Sequence, residues 1–243
     1  MKTMLVVSAH PADFVWRAGG TIAKYIEEGH QVKLIVISYG IRGECNDLWK
    51  KPDQTVDSVR AIRDGESRKA AGILGLKPDD IEYWDYEDYP IVVDRALTDR
   101  LTTRIREIRP EIVLTHDKTD VLNPDHNTVS ELTYKCCIMS NSAGVQIEGT
   151  TSTTQMALYG FEPHQTELSH YVPGTFLDIT STYEKKIAAM KCFRSQSHLI
   201  EYYTQRAFMR GNHARRLSGR TDIQYAESFA NFFPVVADAF CCR

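Results

Sequence analysis

The sequence lacks any apolar run near the roughly 20 residues needed to cross a bilayer. Its first residues show no basic segment, apolar core and cleavage site, so a cytoplasmic protein without a membrane anchor is expected. It also lacks an excess of charge. Lys+Arg 29 against Asp+Glu 32 leaves a formal net charge of -3, which gives no reason to expect nucleic acid or an anionic membrane as partner. The six cysteines, Cys45, Cys136, Cys137, Cys192, Cys241 and Cys242, fit no disulfide framework and no CxxC metal knuckle. Free thiols in a reducing compartment are the simpler reading. There is no GxGxxG, so Gly19-Gly20 reads as a close-packing or turn element. No linker, repeat or low-complexity stretch interrupts the chain.

What is present is an alternation of strands and helices. Met4–Ser8, Val32–Ser38, Ile81–Trp84 and Ile112–Leu114 are short apolar runs typical of strands covered on both faces. Between them, helices are expected over Thr21–Glu28, led in by Gly19-Gly20, over Thr55–Leu74 closed by Gly75, and after Asp94 as an N-cap. The rhythm implies an α/β fold, a Rossmann-like, mostly parallel sheet with helices on both faces. After about residue 150 the pattern changes to strands at 156–161 and 175–179 and helices at 182–193 and 198–210. A single domain is expected, with residues 1–150 as its core and 151–243 as a smaller lobe packed on it. The aromatic group Tyr202, Tyr203, Phe208, Phe229, Phe232 and Phe233 reads as core.

Ligands of such sheets collect at the carboxyl ends of the strands. His10 and Asp13 follow the first strand in Ser8-Ala9-His10-Pro11-Ala12-Asp13, and His126 opens a helix in Asn123-Pro124-Asp125-His126. Two imidazoles and one carboxylate suit a divalent ion such as Zn2+ and leave it an open position, the mark of a catalytic site. Manganese, iron or cobalt would also accept this set. Alone, each motif could be a satisfied turn or a helix cap. Two at neighbouring strand ends favour metal. Asp125 and His116 are candidates to orient the ligands from behind. Glu44, in a Gly-x-x-Gly-Glu turn, and His164, in Phe161-Glu162-Pro163-His164, are candidate acid/base residues. Arg17, Arg42 and Arg63 are candidates to hold anionic substrate groups, or else neutralise nearby carboxylates.

With these residues in view, the chain resembles the LmbE-like (PIG-L) family of zinc-dependent N-acetylglucosaminyl deacetylases. The likeness runs through AHPxD with its following Gly-Gly-Thr, the Gly-Glu turn, and the helix Arg63-x-x-Glu66…Ala70-Ala71…Leu74-Gly75. It continues through Pro124–His126 and Tyr225-Ala226-Glu227-x-Phe229. It implies His10, Asp13 and His126 as metal ligands. Two departures stand out: family deacetylases carry a catalytic Asp where this chain has Ala12, and commonly an oxyanion-stabilising His where it has Asn123. The stretches SAHPADFVWRAGG, FEPHQ, LDITSTYEKK and EYYTQRA are similar to a branch of the family, the 4-oxalomesaconate (4-carboxy-2-hydroxymuconate) hydratases of gallate and protocatechuate 4,5-cleavage catabolism. That likeness implies addition of water to a C=C bond of a small tricarboxylate, and a homo-oligomer. The alternatives are an amidosugar deacetylase, natural or inactivated at Ala12, and an anion-binding protein without turnover.

Overall fold

The structure is a computed structural model that describes residues 1–236. The chain runs β1 (Thr3–Ser8), α1 (Asp13–Glu27), β2 (Gln31–Val36), α2 (Asn46–Trp49), α3 (Val56–Leu74), β3 (Ile81–Tyr83), α4 (Arg95–Ile108) and β4 (Ile112–His116). It continues with α5 (Pro124–Asn141), β5 (Ala157–Phe161), β6 (Thr175–Asp178), α6 (Tyr183–Met190), α7 (Leu199–Ser218) and β7 (Ala226–Asn231). The strands form one seven-stranded sheet in the order β3-β2-β1-β4-β5-β7-β6. β3 to β5 pair in parallel, and β7 runs antiparallel to both its neighbours. The three strands after residue 150 thus extend the sheet that the first four begin.

Side chains alternate across a strand, so β1 feeds two cores. Met4 and Val6 pack with Leu34, Val36, Phe14, Ile22 and Leu74 on the face covered by α1 and α3. Leu5 and Val7 pack with Ile35, Val113, Leu101 and Val129 on the face covered by α4 and α5. Local signals set the helix ends as read. Thr55 caps α3 by accepting from the Ser58 amide, Gly75 closes it at φ 98, and Asp94 caps α4 at the Leu97 amide.

Three expectations are corrected. First, α1 begins at Asp13 rather than Thr21, placing Gly19-Gly20 inside it. A Cβ on Gly20 would lie 2.6 Å from the Ile179 side chain, so close packing explains that glycine. The Glu227 carboxylate accepts from the amides of Gly20 (3.0 Å) and Thr21 (2.8 Å), as a cap does at a helix start. Second, β7 was not expected. Its run Ala-Glu-Ser-Phe-Ala-Asn has one large apolar residue and forms by pairing on both edges. Third, Tyr203 and Phe229 are buried, but Phe208 is 52% exposed on α7. Cys45, Cys136, Cys137 and Cys192 are free, while Cys241 and Cys242 lie outside the described residues. No helix among the described residues is long and apolar enough to cross a membrane.

Candidate metal centre and cleft

His10, Asp13 and His126 converge from the end of β1 and the starts of α1 and α5, each offering one ligand atom within 4.8 Å of the others. All three are buried. His10 Nε2 lies 3.3 Å from Asp125 Oδ2, and His126 Nδ1 lies 2.9 Å from Asp120 Oδ2. The opposite ring atoms, His10 Nδ1 and His126 Nε2, are buried with no hydrogen-bond partner. One nitrogen anchored on a carboxylate and the other left open is how an imidazole is set for a metal. These residues therefore fit a divalent ion. Burial opposes a charge on His10, but Glu44, Asp125 and Asp13 outweigh it and hold its pKa up at about 10, so the centre attracts positive charge.

The orienting groups are themselves fixed. Asp125 accepts from the amides of Tyr89 (2.9 Å) and Ile91 (2.8 Å). Asp120 takes Arg17 Nη2 at 3.2 Å and the Leu122 amide at 3.1 Å. His116 stacks on His126 with centroids 4.0 Å apart, and the Ala9 amide donates to its Nε2 at 3.0 Å. Burial, helped by His126, holds its pKa well down, so it supports the ligand as a neutral ring. Asp120 was not foreseen: it lies six residues before His126 in an unremarkable loop and gains its role only when the loop folds back.

Glu44 is delivered by the loop after β2. Gly40 sits at φ +61 with the Glu44 side chain and the His10 ring against its open side, and a Cβ on Gly43 would strike the Tyr89 ring at 2.0 Å. Both positions therefore require glycine. The buried Asp88 carboxylate accepts from the amides of Ile41, Arg42 and Gly43, locking the loop. Glu44 Oε1 then lies 3.7 Å from His10 Nδ1 and accepts from Asn123 Nδ2 at 2.6 Å. Asn123 Oδ1 is occupied by the Asp125 amide, which caps α5 and turns the Asn123 NH2 toward Glu44. Ala12 is 1% exposed and packed in the core, so nothing at that position can take a proton.

A cleft of about 700 Å3 opens above Glu44, lined among others by Tyr89, Asn123, His164, Gln196, His198 and Lys50. The two acid/base candidates, Glu44 and His164, face this one cavity. His164 does not keep the ordinary histidine value. Burial and the nearby Arg17 charge push its pKa down to about 3. Its Nδ1 is 3.4 Å from the Tyr203 hydroxyl, and Arg206 and Tyr202 donate to its carbonyl. The folded value lies below the ordinary 6.5, so the unfolded chain takes up this proton first. Stability is full above about pH 6.5 and drains as the pH falls from there toward about 3. In an NMR titration the His164 ring is expected to stay neutral from pH 8 down to about 5. A midpoint near 6.5 would show that the ring is solvated instead.

Of the two readings left open for the arginines, Arg17 and Arg42 take that of neutralising nearby carboxylates. Arg17 is 4% exposed and faces the ligands from behind, donating to the Glu162 carbonyl at 2.8 Å and to Asp120, so it holds the centre rather than meeting the cleft. Arg42 points to solvent and pairs with exposed Glu87 at 3.4 Å. Arg63 is fully buried; its groups meet Tyr39, Ser195 and Gln196, and Glu66, three residues on, binds Ser195. Sequence distance to a motif left both readings open, because it says nothing about which side of the motif a long side chain takes.

Comparison with known proteins adds to this geometry. A family model described as GlcNAc-PI de-N-acetylase (PIG-L) matches residues 5–137. A 4-oxalmesaconate hydratase of Pseudomonas putida is 42% identical over 240 residues, covering 98% of this chain and 92% of that protein. The diacetylchitobiose deacetylase of Thermococcus kodakarensis is 26% identical over 203 residues, covering 81% and 70%. Among solved structures, the 4-carboxy-2-hydroxymuconate hydratase of Pseudomonas putida superposes with TM-score 0.93 at 41% identity, covering 99% of this chain and 100% of that one. The N,N'-diacetylchitobiose deacetylase of Pyrococcus horikoshii shares the fold, with TM-score 0.76 at 23% identity over 95% and 84%.

Proposed function

The chain belongs to the PIG-L family of GlcNAc-PI de-N-acetylases, and from that premise we propose that it is a metal-dependent hydratase of 4-oxalomesaconate (4-carboxy-2-hydroxymuconate). The product is 4-carboxy-4-hydroxy-2-oxoadipate, formed as water places OH on one alkene carbon and H on its neighbour. One observation carries this beside the near full-length likeness to a hydratase. The deacetylase base position is a sealed alanine, while a different carboxylate, Glu44, stands over the ligand atoms at the cleft floor.

His10, Asp13 and His126 would hold Zn2+, which when bound supplies Lewis acidity and a lowered pKa for water. Glu44 receives the proton of the attacking water. Burial opposes its charge, but His10, with His126 and Arg63, holds its carboxyl below the usual range, so it stands ionised and able to accept a proton. His164, held neutral and facing the same cleft, hydrogen-bonds the substrate, while Glu44, carrying the proton taken from water, returns it to the adjacent carbon. Asp125, Asp120, His116 and Arg17 hold the ligands in place.

A tricarboxylate needs cations, and the side chains lining the cleft offer Lys50. Lys50→Gln is expected to raise KM about 3–10-fold with kcat nearly unchanged, since Lys50 is exposed and its pairing is screened. Steady-state kinetics on the variant checks this, and an unchanged KM would move the carboxylates elsewhere. The four free thiols support a cytoplasmic setting. The likeness to the hydratase branch is the ground for a homo-oligomer, which analytical ultracentrifugation would test.

The deciding experiment follows the ultraviolet absorbance of enzymically generated 4-oxalomesaconate after adding zinc-loaded protein, with and without chelator. The expected result is a metal-dependent loss of the conjugated absorbance and a product heavier by one water. No loss would return the search to amide substrates, beginning with Ala12→Asp.

A further inference from the structure

Ser195 and Gln196, from the turn at 194–196, line the cleft, and two residues of α3 grip them. Glu66 accepts from the Ser195 amide at 3.0 Å and its hydroxyl at 2.5 Å, while Arg63 Nη1 donates to Gln196 Oε1 at 2.9 Å. Arg63 and Glu66 stand three apart and so share one helix face. Gln196 Nε2 donates in turn to Glu44 Oε2 at 3.1 Å.

The polarity of this chain is forced. A guanidinium can only donate, and an ionised carboxylate can only accept. An amide between them must present its oxygen to Arg63 and its NH2 to Glu44, and the flipped rotamer would lose both bonds. Arg63 itself is unusual. It is 0% exposed, and the acceptors it meets are the Tyr39 carbonyl, the Gln196 amide and, at 3.4 Å, the Ser195 hydroxyl, all neutral. Its Nη2 is buried with no hydrogen-bond partner among the described residues. A buried cation without a carboxylate in contact is costly. The carboxylate it reaches, through one amide, is Glu44.

We infer that Gln196, oriented by Arg63, is a positioning residue that fixes the carboxylate of Glu44 in the cleft. Asn123 does the same for the other oxygen, oriented by the cap of α5. Both Glu44 oxygens are thus held by amides whose own direction is set from outside the cleft, one through α3 and one through α5. The proton-accepting lone pairs then point one way, and rotation of the carboxylate is opposed at both oxygens. This inference rests on the hydratase reading, in which Glu44 is the proton acceptor.

The test is a double-mutant cycle on the zinc-loaded full chain with 4-oxalomesaconate. Gln196→Met keeps length and volume but cannot donate and accepts only weakly. It is expected to lower kcat about 10–100-fold with KM within about twofold. In a Glu44→Gln background the same substitution should have no further effect on kcat, because the group it positions is gone. Gln196→Glu, which pairs with Arg63 but repels Glu44, should not rescue. An equal loss of kcat in both backgrounds would reduce Gln196 to a structural turn residue and overturn the inference, as would wild-type kinetics in Gln196→Met. If the wild-type protein does not hydrate the substrate, the functional reading falls separately. The crystal structure of Gln196→Met then decides, with an unmoved Glu44 carboxylate overturning the inference and a rotated one supporting it.

Discussion

Glu44→Gln is expected to lower hydratase turnover by about 10²–10⁴-fold, the usual weight of a general base. The substitution keeps the shape of the side chain, so fold and metal content should be unchanged. What it removes is the ability to accept a proton beside the ligand atoms, 3.7 Å from His10 Nδ1. It also puts an NH2 where the amide NH2 groups of Asn123 and Gln196 already donate, leaving donor against donor in a confined site. No neighbour can stand in for it. Ala12 carries no polar group, Asp13 is a proposed ligand, and Asp125 is saturated by His10 and two amides. Steady-state kinetics with metal analysis of the same sample checks this. A variant fully loaded with zinc and within threefold of wild-type turnover would remove Glu44 from the mechanism.

The second large effect concerns the fold. Lys186 and Glu227 form a buried ion pair at 2.6 Å, each side chain about 3% exposed. Glu227 carries the pairing further, because its carboxylate also takes the amides of Gly20 and Thr21 in α1. Lys186→Met leaves that carboxylate buried with no cation, a change that costs about 3–5 kcal/mol. At this chain length the expected fall in Tm is about 6–20 °C. Adding Glu227→Gln to Lys186→Met should recover part of the loss, since the glutamine keeps one acceptor for the amides and carries no charge. Thermal unfolding of the single and double variants reads both effects. A single variant with wild-type Tm would mean that Glu227 is neutralised in another way.

The same pair shows why part of the fold was hidden. Gly19-Gly20 reads locally as a helix lead-in, and the amides of Gly20 and Thr21 are indeed capped as at a helix start. The cap comes from Glu227, more than two hundred residues away, so the chain stays helical through the glycines. The strand carrying Glu227 was missed for a related reason: Ala226–Asn231 has little β character of its own and is held by two partners.

At the site, the meeting of His10 and Asp13 with His126 was legible because strand-to-turn-to-helix spacing confines His10 and Asp13 to one rim, and helix capping confines Asp125 and His126 to its neighbour. The loop bearing Glu44 was legible through its two glycines, which a positive φ at Gly40 and the Tyr89 ring at Gly43 require. Asp120 and Gln196 were not, since neither belongs to a motif and each acts through a contact with a distant element. Arg17, Arg42 and Arg63 lie near the rim as read, yet their long side chains go behind the ligands, to solvent and to the 195–196 turn.

The sequence by itself determined the alternation of elements, the parallel core of the sheet, the convergence of His10, Asp13 and His126 at one rim and the absence of a carboxylate at Ala12. These depend on side-chain periodicity and on spacings within a few residues, where backbone geometry leaves little freedom. The tertiary structure decided what surrounds each charge: which carboxylate orients which imidazole, that His164 is held neutral, and that Glu44 is clamped from α3 and α5. Those outcomes depend on burial and on partners brought together across the sheet, which no local spacing encodes.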